Sequence, residues 1–143
     1  MFIGEFHHTL DEKGRVAVPK KFREALKNGA VVTSGLDGCL YLYSGEQWQK
    51  EAEKYAALPG SQGNVRAHMR FTLAGAMDVE PDKQGRIMLP EYLRAFACLK
   101  KNVVVAGLYN RLEVWDEELW EAYRQKAEQE SVKIAEQLGE FGV

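Results

Sequence analysis

The 143-residue chain has only two cysteines and three histidines, which leaves little material for a metal site or a disulfide framework. Cys39 and Cys98 have no CxxC or His-rich spacing around them, so we expect buried or inert free thiols. His7 and His8 are adjacent on a predicted strand, where neighbouring side chains point to opposite faces and do not readily share one ion. We therefore predict no metal and no cofactor.

Signals for membranes, secretion and catalysis are also absent. No segment has the apolar length of a membrane span, and the amino terminus lacks the basic and apolar regions of a signal peptide. We expect a cytoplasmic protein with no membrane partner. No Gly-rich phosphate loop, nucleophile elbow or HExxH motif occurs, so we predict neither catalytic activity nor a small-molecule substrate.

The sequence also has no large excess of one charge, since its formal net charge is −2. The two ends of the chain nevertheless differ. Residues 1–115 carry 16 Lys and Arg against 13 Asp and Glu, whereas residues 116–143 carry 3 against 8. This asymmetry predicts an acidic carboxyl-terminal tail and leaves room for a local basic surface in the rest of the chain.

The strongest pattern that the chain does contain is a motif that occurs twice. The two halves remain similar downstream of the motif, but corresponding residues there are one position further apart, as Leu42 and Val114 are, so one residue has been inserted. We interpret the chain as two pseudo-symmetric halves, residues 1–60 and 61–143. Halves of about 70 residues are marginally stable alone, so we expect one shared core. The motif is Asp-x-x-Gly-Arg-x-x-x-Pro, and its copies, 71 residues apart, are Asp11, Gly14, Arg15 and Pro19, then Asp82, Gly85, Arg86 and Pro90.

Each motif predicts a strand, a tight turn, a second strand and a short helix. The Asp carboxylate can accept hydrogen bonds from backbone N–H groups ahead of it, and the Gly supplies a positive φ. Pro then fits the first turn of a helix, at about residues 20–27 and 91–97. Two further apolar runs follow in each half, so we predict about four strands per half and an α+β fold.

Three peripheral helices are predicted outside the motifs. Residues 46–58 and 65–73 have helical periodicity, and we expect Trp48, Tyr55 and Met69 to lie in the core. Asp116 can cap a long helix that runs to about residue 138, with an apolar stripe that packs on a neighbouring element or subunit.

The paired motifs, together with the opening segment Met1–Leu10, resemble the MraZ family over essentially the whole chain. The family's fold is similar to that of AbrB and MazE, so the resemblance implies a swapped-hairpin β-barrel with peripheral helices and both copies in one polypeptide. It further implies a nucleoid-associated transcriptional regulator of the bacterial cell division and cell wall gene cluster. Such a protein would bind double-stranded DNA at direct repeats in its own promoter and assemble as a homo-oligomeric ring.

The resemblance also implies which residues contact DNA. The family's Asp-x-x-x-Arg signature matches Asp11 with Arg15 and Asp82 with Arg86, so the two arginines would inherit the DNA-contact role. Lys13 and Lys83 would accompany them, although the lysines are offset by one place between the copies. An Arg at the mouth of a hairpin can bond guanine O6 and N7 together or clamp a phosphate.

Two alternatives remain open from the residues alone. Arg15 could bond Asp11, and Arg86 could bond Asp82, merely to hold the turns in shape. The protein could also be an antitoxin-like interaction module that acts through its acidic helical tail at residues 116–143.

Overall fold

The computed structural model describes residues 1–143 as an α+β fold with four strands in each half, as predicted. The first strand extends three residues beyond its mainly apolar start at Phe2–Phe6, because His7, His8 and Thr9 remain paired with residues 102–104 of the partner strand. The strands are β1 Phe2–Thr9, β2 Arg15–Ala17, β3 Ala30–Ser34, β4 Leu40–Ser44, β5 Met77–Val79, β6 Arg86–Met88, β7 Asn102–Tyr109 and β8 Leu112–Asp116. The helices are α1 Arg23–Leu26, α2 Gly45–Ala56, α3 Gly63–Met69, α4 Glu91–Phe96, α5 Glu117–Gln129 and α6 Ser131–Gln137. Short 3₁₀ turns cover Lys20–Phe22, Leu36–Gly38 and Leu138–Phe141, and a π-helical turn covers Arg70–Ala74.

The strands form a six-stranded antiparallel sheet and a separate two-stranded ribbon. The order in the sheet is β1-β7-β8-β4-β3-β5, and the ribbon pairs β2 with β6. The first strand of each half therefore joins the other half, since β1 pairs with β7 and β5 pairs with β3. The strands before and after each Asp-initiated turn do not pair with each other, because each pairs with a strand of the other half. The motif is therefore not a local hairpin.

The strand registers define a pseudo-twofold relation between the halves. In the ribbon, Val16 lies opposite Ile87, its own equivalent 71 residues later. In the sheet, Tyr41 lies opposite Glu113, which is 72 residues later. Each pairing is thus centred on equivalent residues, and the change from 71 to 72 reflects the inserted residue found in the sequence.

The buried residues form one main cluster that draws on both halves. Val16 and Ile87, on the inner face of the ribbon, belong to this cluster together with residues of the large sheet. Leu26 and Leu89 lie beside them with no solvent exposure. The inner face of the ribbon is therefore held against the sheet by apolar packing.

The helices α2 and α3 begin and end close to the predicted limits, but their apolar faces are not core. Trp48, Tyr55 and Met69 are only half-buried, so the prediction that they lie in the core was wrong. The physical reason is that these helices lie outside the sheet and contact each other. The Tyr55 ring meets the ring of His68 at 5.3 Å between centroids, and Trp48 packs on Tyr43 at 5.6 Å.

The carboxyl-terminal helix is interrupted at Glu130, whereas the sequence predicted one helix to about residue 138. The cap is as predicted, because the Asp116 carboxylate accepts a hydrogen bond from the backbone N–H of Leu119 at 3.4 Å. Trp120 packs on Trp115 with 5.5 Å between ring centroids. Beyond the break, Ile134 is exposed, so only the first part of the apolar stripe is covered within the chain.

Truncation of the central ribbon residue tests the shared packing. Ile87→Ala should lower the free energy of unfolding by about 2–5 kcal/mol, because it leaves a cavity in a fully packed site. Val132→Ala, at an exposed position on α6, should change it by less than about 0.5 kcal/mol. Urea unfolding followed by fluorescence measures both. Equal small effects, or two separate transitions in the wild-type protein, would contradict a core common to both halves.

Candidate nucleic-acid interface

The first motif folds around the carboxylate of Asp11. One carboxylate oxygen accepts hydrogen bonds from the backbone N–H groups of Lys13 and Arg15, each at 2.9 Å. The other oxygen accepts from Arg15 Nε at 2.6 Å. Gly14 closes the turn with a φ of +80°, a conformation that a side chain would disfavour. Asp11 thus shapes the loop and fixes the arginine with the same carboxyl group.

The second motif repeats this geometry. Asp82 accepts hydrogen bonds from the backbone N–H groups of Gln84 at 2.9 Å and Arg86 at 3.0 Å. Its second oxygen accepts from Arg86 Nε at 3.1 Å. Gly85 has a φ of +76°. The repeated sequence therefore produces a repeated local structure, as expected of an Asp-initiated turn.

Each loop is bonded to the residue that precedes the proline of the other motif. The backbone N–H of Val18 donates to the carbonyl of Gly85, and that of Leu89 donates to the carbonyl of Gly14, both at 2.9 Å. Pro19 and Pro90 come directly after Val18 and Leu89. The prolines occupy the position just before the following helical turn, one residue earlier than the sequence predicted.

Two further arginines, Arg23 and Arg94, cover the glycines of the opposite loops. Arg23 lies where a side chain on Gly85 would sit, and Arg94 lies where a side chain on Gly14 would sit. The Nε atom of each donates to the backbone carbonyl four residues beyond the glycine of its own half, at 3.1 and 2.9 Å. No role was assigned to these arginines from the sequence. Their equivalent positions in the two copies were the available signal.

The ribbon brings the two motif arginines to one surface. Val16 and Ile87 point inward, and the residues on either side of them in each strand point outward. Arg86 Nη1 lies 3.6 Å from the Asp11 carboxylate of the other loop. The Arg15 and Arg86 side chains are 27% and 30% exposed, respectively. The outward residues form two cross-strand pairs, Arg15 with Met88 and Arg86 with Ala17.

The Asp–Arg pairs that are expected if the arginines only hold the turns in shape are present. They nevertheless leave terminal guanidinium nitrogens available for another partner. The Asp11 bond engages only the Nε atom of Arg15, which leaves the two terminal nitrogens without a partner in the chain. Asp82 also holds Arg86 through Nε, and of the terminal nitrogens of Arg86 only Nη1 lies near a carboxylate, 3.6 Å from that of Asp11. An arginine fixed through Nε keeps its outer edge for a second, bidentate acceptor. The two roles are therefore compatible in one side chain.

The lysines predicted to accompany the arginines lie at the exposed tips of the loops. Lys13 and Lys83 have no acidic partner within ion-pair distance, so their ammonium groups face solvent. They are not equivalent positions, since Lys13 corresponds to Gln84 and Lys83 corresponds to Glu12. The two loop tips consequently differ in charge, and the second is the more positive.

The hydrogen bonds in the loops stabilise the charged form of both aspartates. The backbone N–H of Arg15, helped by its guanidinium and by the N–H of Lys13, lowers the pKa of Asp11 from 3.8 to about 2. The corresponding bond from the backbone of Arg86 lowers the pKa of Asp82. Both carboxylates are therefore ionised at neutral pH.

A second group of polar side chains lies away from the ribbon, where β1 meets α5. Glu5, His7 and Glu121 have ligand-type atoms within 4.8 Å of one another. The Glu5 carboxylate lies 2.8 Å from His7 Nε2 and raises the pKa of the imidazole, with a further contribution from Glu117. Glu121 also pairs with Arg124 at 3.0 Å. The group is an exposed ion-pair network that links the strand to the helix.

The two cysteines have different surroundings. Cys39 is fully buried, and burial raises the pKa of its thiol to about 12, so the thiol stays protonated. Cys98 is exposed, and both cysteines are free.

Comparison with known proteins agrees with the doubled architecture. A family model described as "MraZ protein, putative antitoxin-like" matches twice, at residues 1–71 and 72–140. The chain belongs to the MraZ family. The two matches coincide with the internal repeat that the ribbon joins.

Relatives match over the full length of the chain. The "Transcriptional regulator MraZ" of Natranaerobius thermophilus is 48% identical over 143 residues, which is 100% of both chains. Proteins of the same name from Acetivibrio thermocellus and Pediococcus pentosaceus are each 46% identical, again over 100% of both chains. These relatives are named for a regulatory role, in agreement with the prediction that the chain is not an enzyme. None of the helices combines the length and apolar character that a membrane crossing requires.

The role of Asp11 in the loop predicts a specific acid response. Because its folded-state pKa lies below the ordinary value of 3.8, Asp11 stabilises the fold fully above that value and progressively less as pH falls to about 2. Asp11→Asn should therefore be less stable than wild type at pH 7, and the difference should shrink between pH 4 and pH 2. Urea unfolding across this range measures it. Glu12→Gln, at the adjacent exposed residue, is the control, and a pH-independent difference for Asp11→Asn would refute the carboxylate role.

Proposed function

We propose that this protein is a sequence-specific DNA-binding transcriptional regulator that inserts the β2-β6 ribbon into the major groove. The observation that carries the proposal is the convergence of Arg15 and Arg86 on the outward face of that ribbon. A two-stranded β-ribbon has dimensions that the major groove of B-DNA admits. The names of the full-length relatives support the regulatory part of the proposal.

The ion pairs with the aspartates prepare the arginines for DNA. A guanidinium fixed through Nε loses less conformational freedom on binding, and its terminal nitrogens can bond guanine O6 and N7 or a phosphate. Lys13 and Lys83, at the loop tips, are placed to contact phosphates, which position the protein without reading sequence. The aspartates also offset much of the positive charge, so a single ribbon would bind weakly.

Weak individual contacts favour an assembly that repeats them. One bidentate contact discriminates between bases by only about 1–3 kcal/mol, and linked subunits multiply that preference. Subunits in a ring present the same surface successively, so we expect direct repeats in the DNA. The exposed Ile134 on α6 and Leu138 on the 3₁₀ turn after it leave apolar surface for a neighbouring subunit. The family resemblance adds the target, which is the protein's own promoter in the division and cell wall gene cluster.

Arginine substitutions test the proposed contacts. Arg15→Ala and Arg86→Ala should each weaken binding to the promoter by roughly 5- to 150-fold, the equivalent of about 1–3 kcal/mol, and should reduce the preference over scrambled DNA. Fluorescence anisotropy across a salt series measures both quantities, with circular dichroism as the check on folding. Lys50→Ala, which removes a positive charge from exposed α2, is the control and should bind as wild type.

The lysines should behave differently from the arginines. Lys13→Ala or Lys83→Ala should weaken binding to promoter and scrambled DNA alike and reduce the salt slope by about 1. Wild-type binding that is equally weak on every DNA would overturn the proposal that the protein is a sequence-specific regulator.

The second candidate is an antitoxin-like interaction module that acts through residues 116–143. The family description and the exposed apolar positions on α6 favour it. Removal of residues 131–143 takes away α6 but leaves Trp120 on the sheet, so the fold should survive. The regulator account expects each β2-β6 ribbon in this variant to keep its affinity for a single promoter repeat. Loss of a stoichiometric protein partner with unchanged DNA binding would favour the interaction module.

A further inference from the structure

The outward face of the ribbon is not symmetric, although the ribbon itself is. The pseudo-twofold relation exchanges Arg15 with Arg86 and Ala17 with Met88. Ala17 is small and half-buried, whereas Met88 is 52% exposed. The outward face therefore has two equivalent arginines but only one large apolar side chain, that of Met88.

Met88 is adjacent to both of the arginines that we propose as DNA contacts. Arg15 is its direct cross-strand partner, and Arg86 is two residues earlier on the same strand and the same face. Met88 is not part of the buried core cluster. A single exposed apolar residue on a surface is ordinary. Here, however, the exposed side chain adjoins both of the proposed DNA contacts on the same face of the ribbon.

The major groove offers one apolar group to such a side chain. Each base pair presents hydrogen-bond donors and acceptors there, and thymine adds its C5-methyl group. Methionine is unbranched and flexible, so it adapts to a methyl group at a range of positions. We propose that Met88 is a specificity-determining residue that contacts a thymine methyl group next to the base pair contacted by Arg15. This inference rests on the proposed DNA-binding function.

The asymmetry has a consequence for the direction of binding. A ribbon with an identical outward face in both halves would bind a site equally well in either orientation. Direct repeats require every subunit to bind in one orientation. The loop tips also differ, at Lys13 and Lys83, but phosphate contacts there carry no sequence information. The difference between Met88 and Ala17 lies on the face that reads bases, so it can fix the direction.

Met88 also lines a shallow groove with Met77, Val79 and Pro90, which offers a competing, purely structural role. In that role, Met88→Ala would change stability but not base preference. Met77 provides a matched control, because it is also an exposed methionine in this groove but lies on β5, outside the ribbon. Base preference therefore separates the two roles.

Replacement of thymine by uracil in the promoter repeats isolates the methyl group, because uracil keeps the hydrogen bonds of thymine. Uracil at the contacted position should weaken wild-type binding about fourfold, the equivalent of about 0.8 kcal/mol for one methyl group. Met88→Ala should bind the thymine and uracil duplexes equally, whereas Met77→Ala should retain the preference. Anisotropy titrations with uracil placed at one thymine at a time measure this coupling.

Three results would overturn the inference, and they are distinguishable. Specific wild-type binding with no sensitivity to uracil at any position would exclude the methyl contact alone. Uracil sensitivity that persists in Met88→Ala would assign the contact to another residue. Equal wild-type binding to promoter and scrambled duplexes would instead overturn the DNA-binding function on which the inference rests.

Discussion

The antiparallel pairing of β2 with β6 is the constraint on which the rest of the structure depends. These two strands of three residues join the halves, and Val16 opposite Ile87 places their centre in the common core. The N–H groups of Val18 and Leu89 then bond the carbonyls of Gly85 and Gly14, so each loop is completed by the other half. Without this pairing, the inner face of the ribbon would be exposed and the motif arginines would not share a surface.

The same motif residues serve both folding and the proposed recognition. Asp11 and Asp82 satisfy backbone N–H groups that the turns would otherwise leave unpaired, and each also holds an arginine through Nε. Each ion pair orders the arginine side chain but also offsets its positive charge. A ribbon built in this way favours geometric specificity over non-specific attraction to DNA. That balance agrees with a chain whose overall charge is slightly negative.

Much of this structure was accessible from the sequence, because it depends on local chemistry. The Asp-initiated turns, the glycines with positive φ and the cap at Asp116 each need only a few consecutive residues. Long-range relations were less accessible. The residues alone indicated strand, turn and strand, but not that the partner of β1 is β7. The positions of Arg23 and Arg94 over the glycines were not predicted, because those glycines lie in the opposite half. Helical periodicity identified the apolar faces of Trp48 and Tyr55, but it does not specify whether such a face meets the core or another helix.

Site-specific photo-crosslinking to promoter DNA tests the central claim, that the ribbon and its loops are the DNA-contacting surface. A photo-reactive side chain at Gln84, at an exposed loop tip, would be compared with one at Gln125 on the exposed side of α5. The account predicts crosslinks from position 84 that a specific competitor duplex removes, and none from position 125. Crosslinks from position 125 alone would contradict the account and place the DNA on the carboxyl-terminal helices.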